Sequence, residues 1–300
     1  MSSTINTPRW QNYIESKIGF VLPKTQVRWL SNAIVTTAED SGRSLSELWL
    51  AVQTDVRLRQ QLLDRVLIVE SRFFRHGPSL EYIAALAKEQ AVASEHRITA
   101  DDTLDNRLNS RPQKQSSYRI WSVGCARGQE VWSLAMLLEN SGIADYCILG
   151  TDVNYEAIQD AQQARYCPRE KATIPEDYQH YIQPCDTDGS LLSPLTEAQS
   201  IETGCRWQVI DALRSKVSFR HHNIFGTKAA THTKQQVIIC QNMLIYFRQF
   251  DQRDILARFV EQCELGGHII LAPGEALFWQ HPKMQRISHP EVNLWQKIRA

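Results

Sequence analysis

The sequence has no long apolar run. Its longest, such as Ile269 to Pro273, extend only a handful of residues, too few to cross a bilayer as a helix. It shows no secretion signal, because the first twenty residues carry Arg9, Trp10, Glu15 and Lys17 without an apolar core. It has no charge bias either: 33 Lys plus Arg balance 33 Asp plus Glu. A nucleic-acid protein needs a basic excess or stripe to neutralise phosphates, so nucleic acid is not an expected partner. Cys-x-x-Cys pairs are also missing. The seven cysteines, Cys125, Cys147, Cys167, Cys185, Cys205, Cys240 and Cys263, are odd in number and widely spaced, which speaks against a disulfide framework and a zinc site. No metal is expected. The sequence predicts reduced thiols in a cytoplasmic chain with no direct membrane insertion.

What is present suits an ordinary folded core: 43% hydrophobic and 22% charged residues over a length of 300, enough for two domains at roughly 150 residues each. The first ninety residues read as helical. Trp10, Tyr13, Ile14 and Ile18 recur at helical spacing, as do Trp29, Leu30 and Ile34. Leu45, Leu48 and Val52 follow Ser44, and a further helix capped near Thr54 is predicted to bury Val56, Leu58, Leu62, Leu63, Val66 and Leu67. The polar, aperiodic stretch over residues 91–117 reads as a linker with room for one short helix.

From Tyr118 to the end, strands alternate with helices. Strand candidates are Tyr118–Val123, Tyr146–Thr151, Trp207–Ile210, Val217–His221, Gln236–Cys240 and His268–Ala272. The fold class is therefore α/β: a small N-terminal helical domain over 1–90, then a doubly wound, mostly parallel sheet over 118–300. Residues 167–204 are irregular and contain Pro168, Pro175, Pro184 and Pro194, marking an inserted small subdomain.

The strongest local signal is Trp121 to Glu130 (WSVGCARGQE), between the first strand and its helix. Gly124 and Gly128 permit a tight turn at the carboxyl end of a strand, where open α/β sheets bind ligands. The loop is neither Gly-x-Gly-x-x-Gly nor a P-loop, so nothing in it demands a diphosphate. Asp152 ends the next strand, placed to accept ribose hydroxyls, although it could instead cap the following helix. A glycine loop without phosphate machinery plus a ribose-binding acid suits a nucleoside without a diphosphate. S-adenosyl-L-methionine (SAM) fits that description.

At this point the chain resembles the CheR-type chemoreceptor glutamate O-methyltransferases, with motifs in one order through most of its length. The family's N-E-T-x-F-F-R corresponds to Val69 to Arg75 (VESRFFR), and its G-C-S-T-G-E-E-P-Y-S to Gly124 to Ser133 (GCARGQEVWS). Its T-D-I and A-x-x-G-x-Y correspond to Thr151 to Val153 and Ala161 to Tyr166. Its F-x-x-x-N-L corresponds to Phe219 to Ile224, and I-x-C-R-N-V-L-I-Y-F to Ile238 to Phe247 (IICQNMLIYF). The sequence departs from the pattern at Val69, Arg127, Gln129 and Gln241, and Ala272 to Glu275 (APGE) stands for G-H-S-E. These departures point to a branch serving type IV pilus chemosensory systems (PilK-like).

The resemblance implies a SAM-dependent methyltransferase (Rossmann-like) fold, with S-adenosyl-L-homocysteine as product and a small inserted β subdomain that helps dock the receptor. The implied substrate is glutamate on the cytoplasmic helices of methyl-accepting chemoreceptors, modified by a monomer. Methyl transfer to a carboxylate already ionised at neutral pH needs alignment and a partly dry setting more than a strong base. Arg75 is expected to orient the substrate carboxylate, its alternative being a solvated Arg at a helix end. Tyr246 is expected to donate to that carboxylate or line the methyl channel, or to be a core aromatic. Ser71, Arg75, Gly124, Glu130, Asp152, Asn223, Ile224, Gln241 and Asn242 are the implied cofactor-binding residues. Glu130 would take the methionine ammonium, unless it only complements a helix dipole; Ser71 could be a helix cap, and either Asn could serve strand-end backbone. The departures also motivate a second reading, a catalytically weak SAM-binding, receptor-binding scaffold.

Overall fold

A computed structural model of the protein describes residues 5–100, 117–185 and 207–300. The N-terminal region is helical: α1 (Thr7–Ile18), α2 (Val27–Asp40), α3 (Leu45–Thr54) and α4 (Val56–Val66). Their apolar stripes meet in one core of Trp10, Tyr13, Ile14, Ile18, Leu30, Ile34, Leu48, Val52, Leu62 and Val66. Ser44 and Glu47 form a reciprocal capping box on α3, satisfying two orphan N–H donors at once. Two expectations fail here. Asp55, not Thr54, caps α4, its Oδ1 accepting from Arg57 N at 2.9 Å and Leu58 N at 3.1 Å, so Val56 falls on the first turn, 65% exposed. Trp29 also faces solvent, at 54%.

The fifth helix, α5 (Gly77–Ala100), runs ten residues past position 90, where the sequence reading starts a linker. Residues 101–116 of that expected linker lie outside the described residues.

The remainder alternates strands and helices. β1 (Tyr118–Val123), α6 (Gln129–Asn140), β2 (Tyr146–Asp152) and α7 (Tyr155–Gln163) come first. Next are β3 (Arg165–Tyr166), α8 (Pro168–Lys171), β4 (Ile182–Pro184), β5 (Trp207–Val209) and α9 (Asp211–Arg214). β6 (Val217–His221), β7 (Gln235–Cys240), α10 (Gln249–Gln262), β8 (Cys263–Leu271), β9 (Met284–Ile287) and β10 (Asn293–Lys297) complete the chain.

The main sheet has the order β6-β2-β1-β7-β8-β10-β9. Pairing is parallel from β6 through β8 and antiparallel at β10 and β9. β1 and β7 are almost wholly buried because helices cover both faces, the condition under which strands read as near-continuous apolar runs. Trp132, Leu134, Ile158, Leu80 and Ile83, from α5, α6 and α7, pack one face. Ile255, Leu256, Phe259 and Val260 of α10 pack the other.

β5 corrects a sequence expectation. It leaves the main sheet and pairs antiparallel with β3 and β4 in a separate three-stranded sheet, next to the region expected to carry an inserted subdomain. Residues 186–206 lie outside the described residues. The strand order reverses beside β1, which has β2 on one side and β7 on the other. That reversal opens a crevice at the carboxyl ends of these strands.

Candidate functional site

Six chain segments converge on this crevice, one of them Ile18 and Phe20 at the end of α1. Gly124, Cys125, Ala126 and Glu130 follow β1, and Asp152 ends β2. Asn223 and Ile224 follow β6, and Gln241, Asn242, Met243, Ile245, Tyr246 and Phe247 follow β7, all lining one cavity. Glu70, Ser71, Arg72, Arg75 and His76, between α4 and α5, close its opposite side. The cavity thus gathers Ser71, Arg75, Gly124, Glu130, Asp152, Asn223, Ile224, Gln241, Asn242 and Tyr246, the residues that the sequence nominates for cofactor and substrate.

The glycine loop is held by backbone and carboxylate together. Gly124 N and Cys125 N both donate to Thr151 O, at 2.8 and 3.0 Å. Gly124 has φ +71°, and a Cβ there would sit 2.9 Å from Met243 Sδ, so both conformation and space call for glycine. Asp152 accepts from Ala126 N through Oδ2 and from Asn154 N through Oδ1, each at 2.8 Å. It is not the helix cap, for Asn154 caps α7 by accepting from Ala157 N at 2.8 Å. Burial pushes the Asp152 carboxyl above its usual range while its backbone hydrogen bonds oppose this. Each oxygen retains capacity for a further donor.

Glu130 lies in the first turn of α6 and accepts from Ser122 Oγ at 2.8 Å. Burial raises its carboxyl to about 7, against the lowering effects of Ser122 and the Arg75 charge. A buried acid so poised calls for a cationic partner.

Arg75 is exposed at the rim and donates through Nη1 to Glu70 O at 3.2 Å. It precedes the start of α5 rather than ending a helix. The aromatic pair before it is the anchor: Phe73 is 1% exposed against Tyr166 and Trp207. Phe74 adopts φ 51°, a left-handed conformation that costs a bulky residue energy; its N–H donates to Ser133 Oγ at 2.9 Å. Tyr246 is half-buried and stacks on Phe20, centroids 5.0 Å apart, while burial raises its phenol.

Other expected residues carry structural bonds as well. Asn223 Nδ2 donates to Lys17 O, and its Oδ1 accepts from Phe225 N, both at 3.0 Å. Gln241 Nε2 donates to Ser79 Oγ at 2.9 Å. Asn242 has φ 57° and donates through its backbone N–H to Glu275 Oε2 at 3.3 Å. His221 and His222 each have a backbone carbonyl, of Val153 and Lys228, at 2.9 Å.

Of the departing residues Val69, Arg127, Gln129 and Gln241, the first three do not line the cavity. Arg127 pairs with Asp160 at 3.2 Å and Glu170 at 3.5 Å, and Gln129 Nε2 donates to Glu170 Oε1 at 2.9 Å. Three residues of structural weight escaped the sequence reading. Glu275, 5% exposed, also accepts from Ala272 N at 3.1 Å; the acid closing APGE was its only signal. Asp64 of α4 accepts from Tyr155 N at 2.8 Å, and Ser79 is fully buried under the cavity wall.

The donor set suits SAM. Carboxylates stand at the end of β2 and in the first turn of α6, where they present acceptors to the cavity. Phe20, Val123, Ile224 and Met243 offer apolar wall.

Comparison with known proteins agrees. Residues 70–293 match the CheR methyltransferase, SAM binding domain family. A chemotaxis protein methyltransferase 1 of Pseudomonas aeruginosa is 28% identical over 276 residues, covering 88% of each chain. The methyltransferase Cher2 of Pseudomonas putida is 24% identical over 288 residues, covering 92% of each. Chemotaxis protein methyltransferase 2 of Vibrio cholerae is 25% identical over 278 residues, covering 90% of this chain and 84% of its own. With SAM as its cofactor, the chain belongs to the CheR methyltransferase family.

Proposed function

We propose that this protein is a SAM-dependent protein-glutamate O-methyltransferase that methyl-esterifies glutamate side chains on the cytoplasmic helices of methyl-accepting chemoreceptors. The observation that carries the reading is the meeting, in one cavity, of the Ser71–Arg75 segment with the loops after β1, β2, β6 and β7. That geometry sets a partly buried acidic interior beneath an exposed guanidinium at the rim.

Bound SAM supplies an electrophilic methyl group on a sulfonium. Asp152 holds the ribose hydroxyls, and Glu130 takes the methionine ammonium, which restores its charge. Ser71 would hydrogen-bond the methionine carboxylate, and the backbone around Ile224 and Gln241, with Asn223 and Asn242, would border the adenine. Arg75 aligns the incoming glutamate carboxylate by charge-assisted hydrogen bonds, and Tyr246 lines the methyl path beside it. No proton need be removed from the nucleophile, so orientation and partial exclusion of water supply the acceleration. Removing the glutamate charge would shift a receptor's signalling equilibrium.

The scaffold reading is less well supported, because Arg127 and Gln129 are engaged with Asp160 and Glu170 outside the cavity. Incubation with methyl-labelled SAM and a receptor cytoplasmic fragment tests the proposal. Base-labile label on the fragment supports it; cofactor binding without transfer favours the scaffold.

A further inference from the structure

His76 follows Arg75 directly, lines the cavity, and stands just before α5. Its Nδ1 accepts the Ser79 backbone N–H at 3.3 Å and lies 2.8 Å from Ser79 Oγ. Gln241 Nε2, from the loop after β7, donates to the same Oγ at 2.9 Å. Ser79 is 0% exposed, so water does not substitute for these bonds. The donors fix the direction of the chain. An amide N–H can only donate, so Nδ1 is an acceptor and the imidazole proton sits on Nε2. The Ser79 hydroxyl accepts from Gln241 and gives its single proton to Nδ1.

We propose that His76 is a positioning residue, whose neutral imidazole, joined through Ser79 to Gln241, holds the Ser71–Arg75 segment in register with the Gln241–Tyr246 segment across the cavity. The inference rests on the methyltransferase reading for its consequence, but the linkage is a property of the ligand-free protein. The imidazole also serves as the cap of α5, a place usually taken by Ser, Thr, Asp or Asn. Protonation would set an N–H on Nδ1 against the Ser79 backbone N–H, beside the positive end of a helix, and turn the Ser79 hydroxyl from donor to acceptor. Burial already pushes the imidazole below its usual range, while Glu291, preceding β10, favours the charged form. Arg75 adjoins it in the chain, and Glu70, Arg72, Glu130, Asp152 and Tyr246 are the other titratable or charged groups around the same cavity.

Hydrogen exchange of the 241–246 backbone, in ligand-free protein at about pH 7.5 and about pH 5.5 and corrected for intrinsic rates, tests this. His76→Asn keeps a capping acceptor but cannot titrate; His76→Ala removes it. Expected are protection in His76→Ala lowered about fivefold to tenfold, a smaller loss in the same direction in the wild type on acidification, and little change with pH in His76→Asn. Because Glu130 also titrates near neutrality, the diagnostic is the difference between wild type and His76→Asn. Equal acid sensitivity in those two, or unchanged protection in His76→Ala with an unaltered melt, would overturn the proposal. A parallel titration with S-adenosylhomocysteine should show affinity following protection. Absence of binding to the wild type at both pH values would defeat the methyltransferase reading instead, leaving the exchange data to decide on His76.

Discussion

Asp152 Oδ2 accepts the Ala126 N–H at 2.8 Å, so the carboxylate ending β2 ties down the glycine loop that follows β1. One side chain thereby shapes the loop and, in the proposed reading, offers acceptors to a ribose.

Asp152→Ala is therefore expected to weaken S-adenosylhomocysteine binding by at least one charged hydrogen bond, roughly 1.5–3 kcal/mol, and to loosen the loop as well. Asp152→Asn keeps an acceptor for one of the two backbone donors and should lose less. Calorimetric titration beside a thermal melt measures both. Unchanged affinity in a folded Asp152→Ala variant would remove Asp152 from the site.

Glu130 gives a pH signature. Folded Glu130 keeps its proton up to about 7, whereas an unperturbed carboxyl releases it near 4.5. The native state thus binds more protons between these values, and the ligand-free protein loses stability as pH rises through that window. The full effect is on the order of 3 kcal/mol. Glu130→Gln should flatten this fall, melting higher than the wild type at about pH 8, yet bind S-adenosylhomocysteine more weakly. A Glu130→Gln melt that tracks the wild type at every pH would contradict the assignment.

Arg127 should matter to stability and not to the cofactor. Arg127→Ala removes partly buried pairs with Asp160 and Glu170, for a loss of about 1 kcal/mol. Cofactor affinity in that variant should match the wild type within error; a large loss would bring Arg127 back into the binding site.

Pro184 of β4 stands opposite Trp207 of β5 in an antiparallel pair, so a short turn can replace residues 186–206 without moving either strand. The shortened protein is expected to bind S-adenosylhomocysteine normally and to methylate a receptor fragment more slowly, if the inserted region takes part in receptor recognition as proposed. Loss of cofactor binding in a well-folded shortened chain would refute the docking role.

Arg75→Lys keeps the charge but not the planar fork that fixes a carboxylate in one orientation. With Phe73 and Phe74 still anchored, it should retain fold and most cofactor affinity. Single-turnover methylation should fall tenfold or more, about 1.4 kcal/mol in barrier, and further in Arg75→Ala. Near-normal turnover in Arg75→Ala would leave Tyr246 as the candidate.

Legibility from the sequence followed burial. β1 and β7 were readable because both faces are covered, leaving mostly apolar, β-prone sequences, YRIWSV and QQVIIC. β9 and β10 were not, since MQRI and NLWQK are short, mixed in polarity and lie where the sheet turns antiparallel. β5 was readable as a strand, but periodicity does not encode which sheet a strand joins. The cavity residues were legible because strand ends carry them in motif order. The Ser79–Gln241 bond was hidden, because no spacing rule reaches across 162 positions.

The central claim is most directly tested by the destination of the methyl group. Methyl-labelled SAM is incubated with the protein and a receptor cytoplasmic fragment, alongside the same fragment with its candidate glutamates changed to glutamine. The account predicts label on the glutamate fragment alone, released by mild base as expected of a carboxyl ester. Label that resists base, equal labelling of the glutamine fragment, or no transfer by a protein that binds SAM would contradict it.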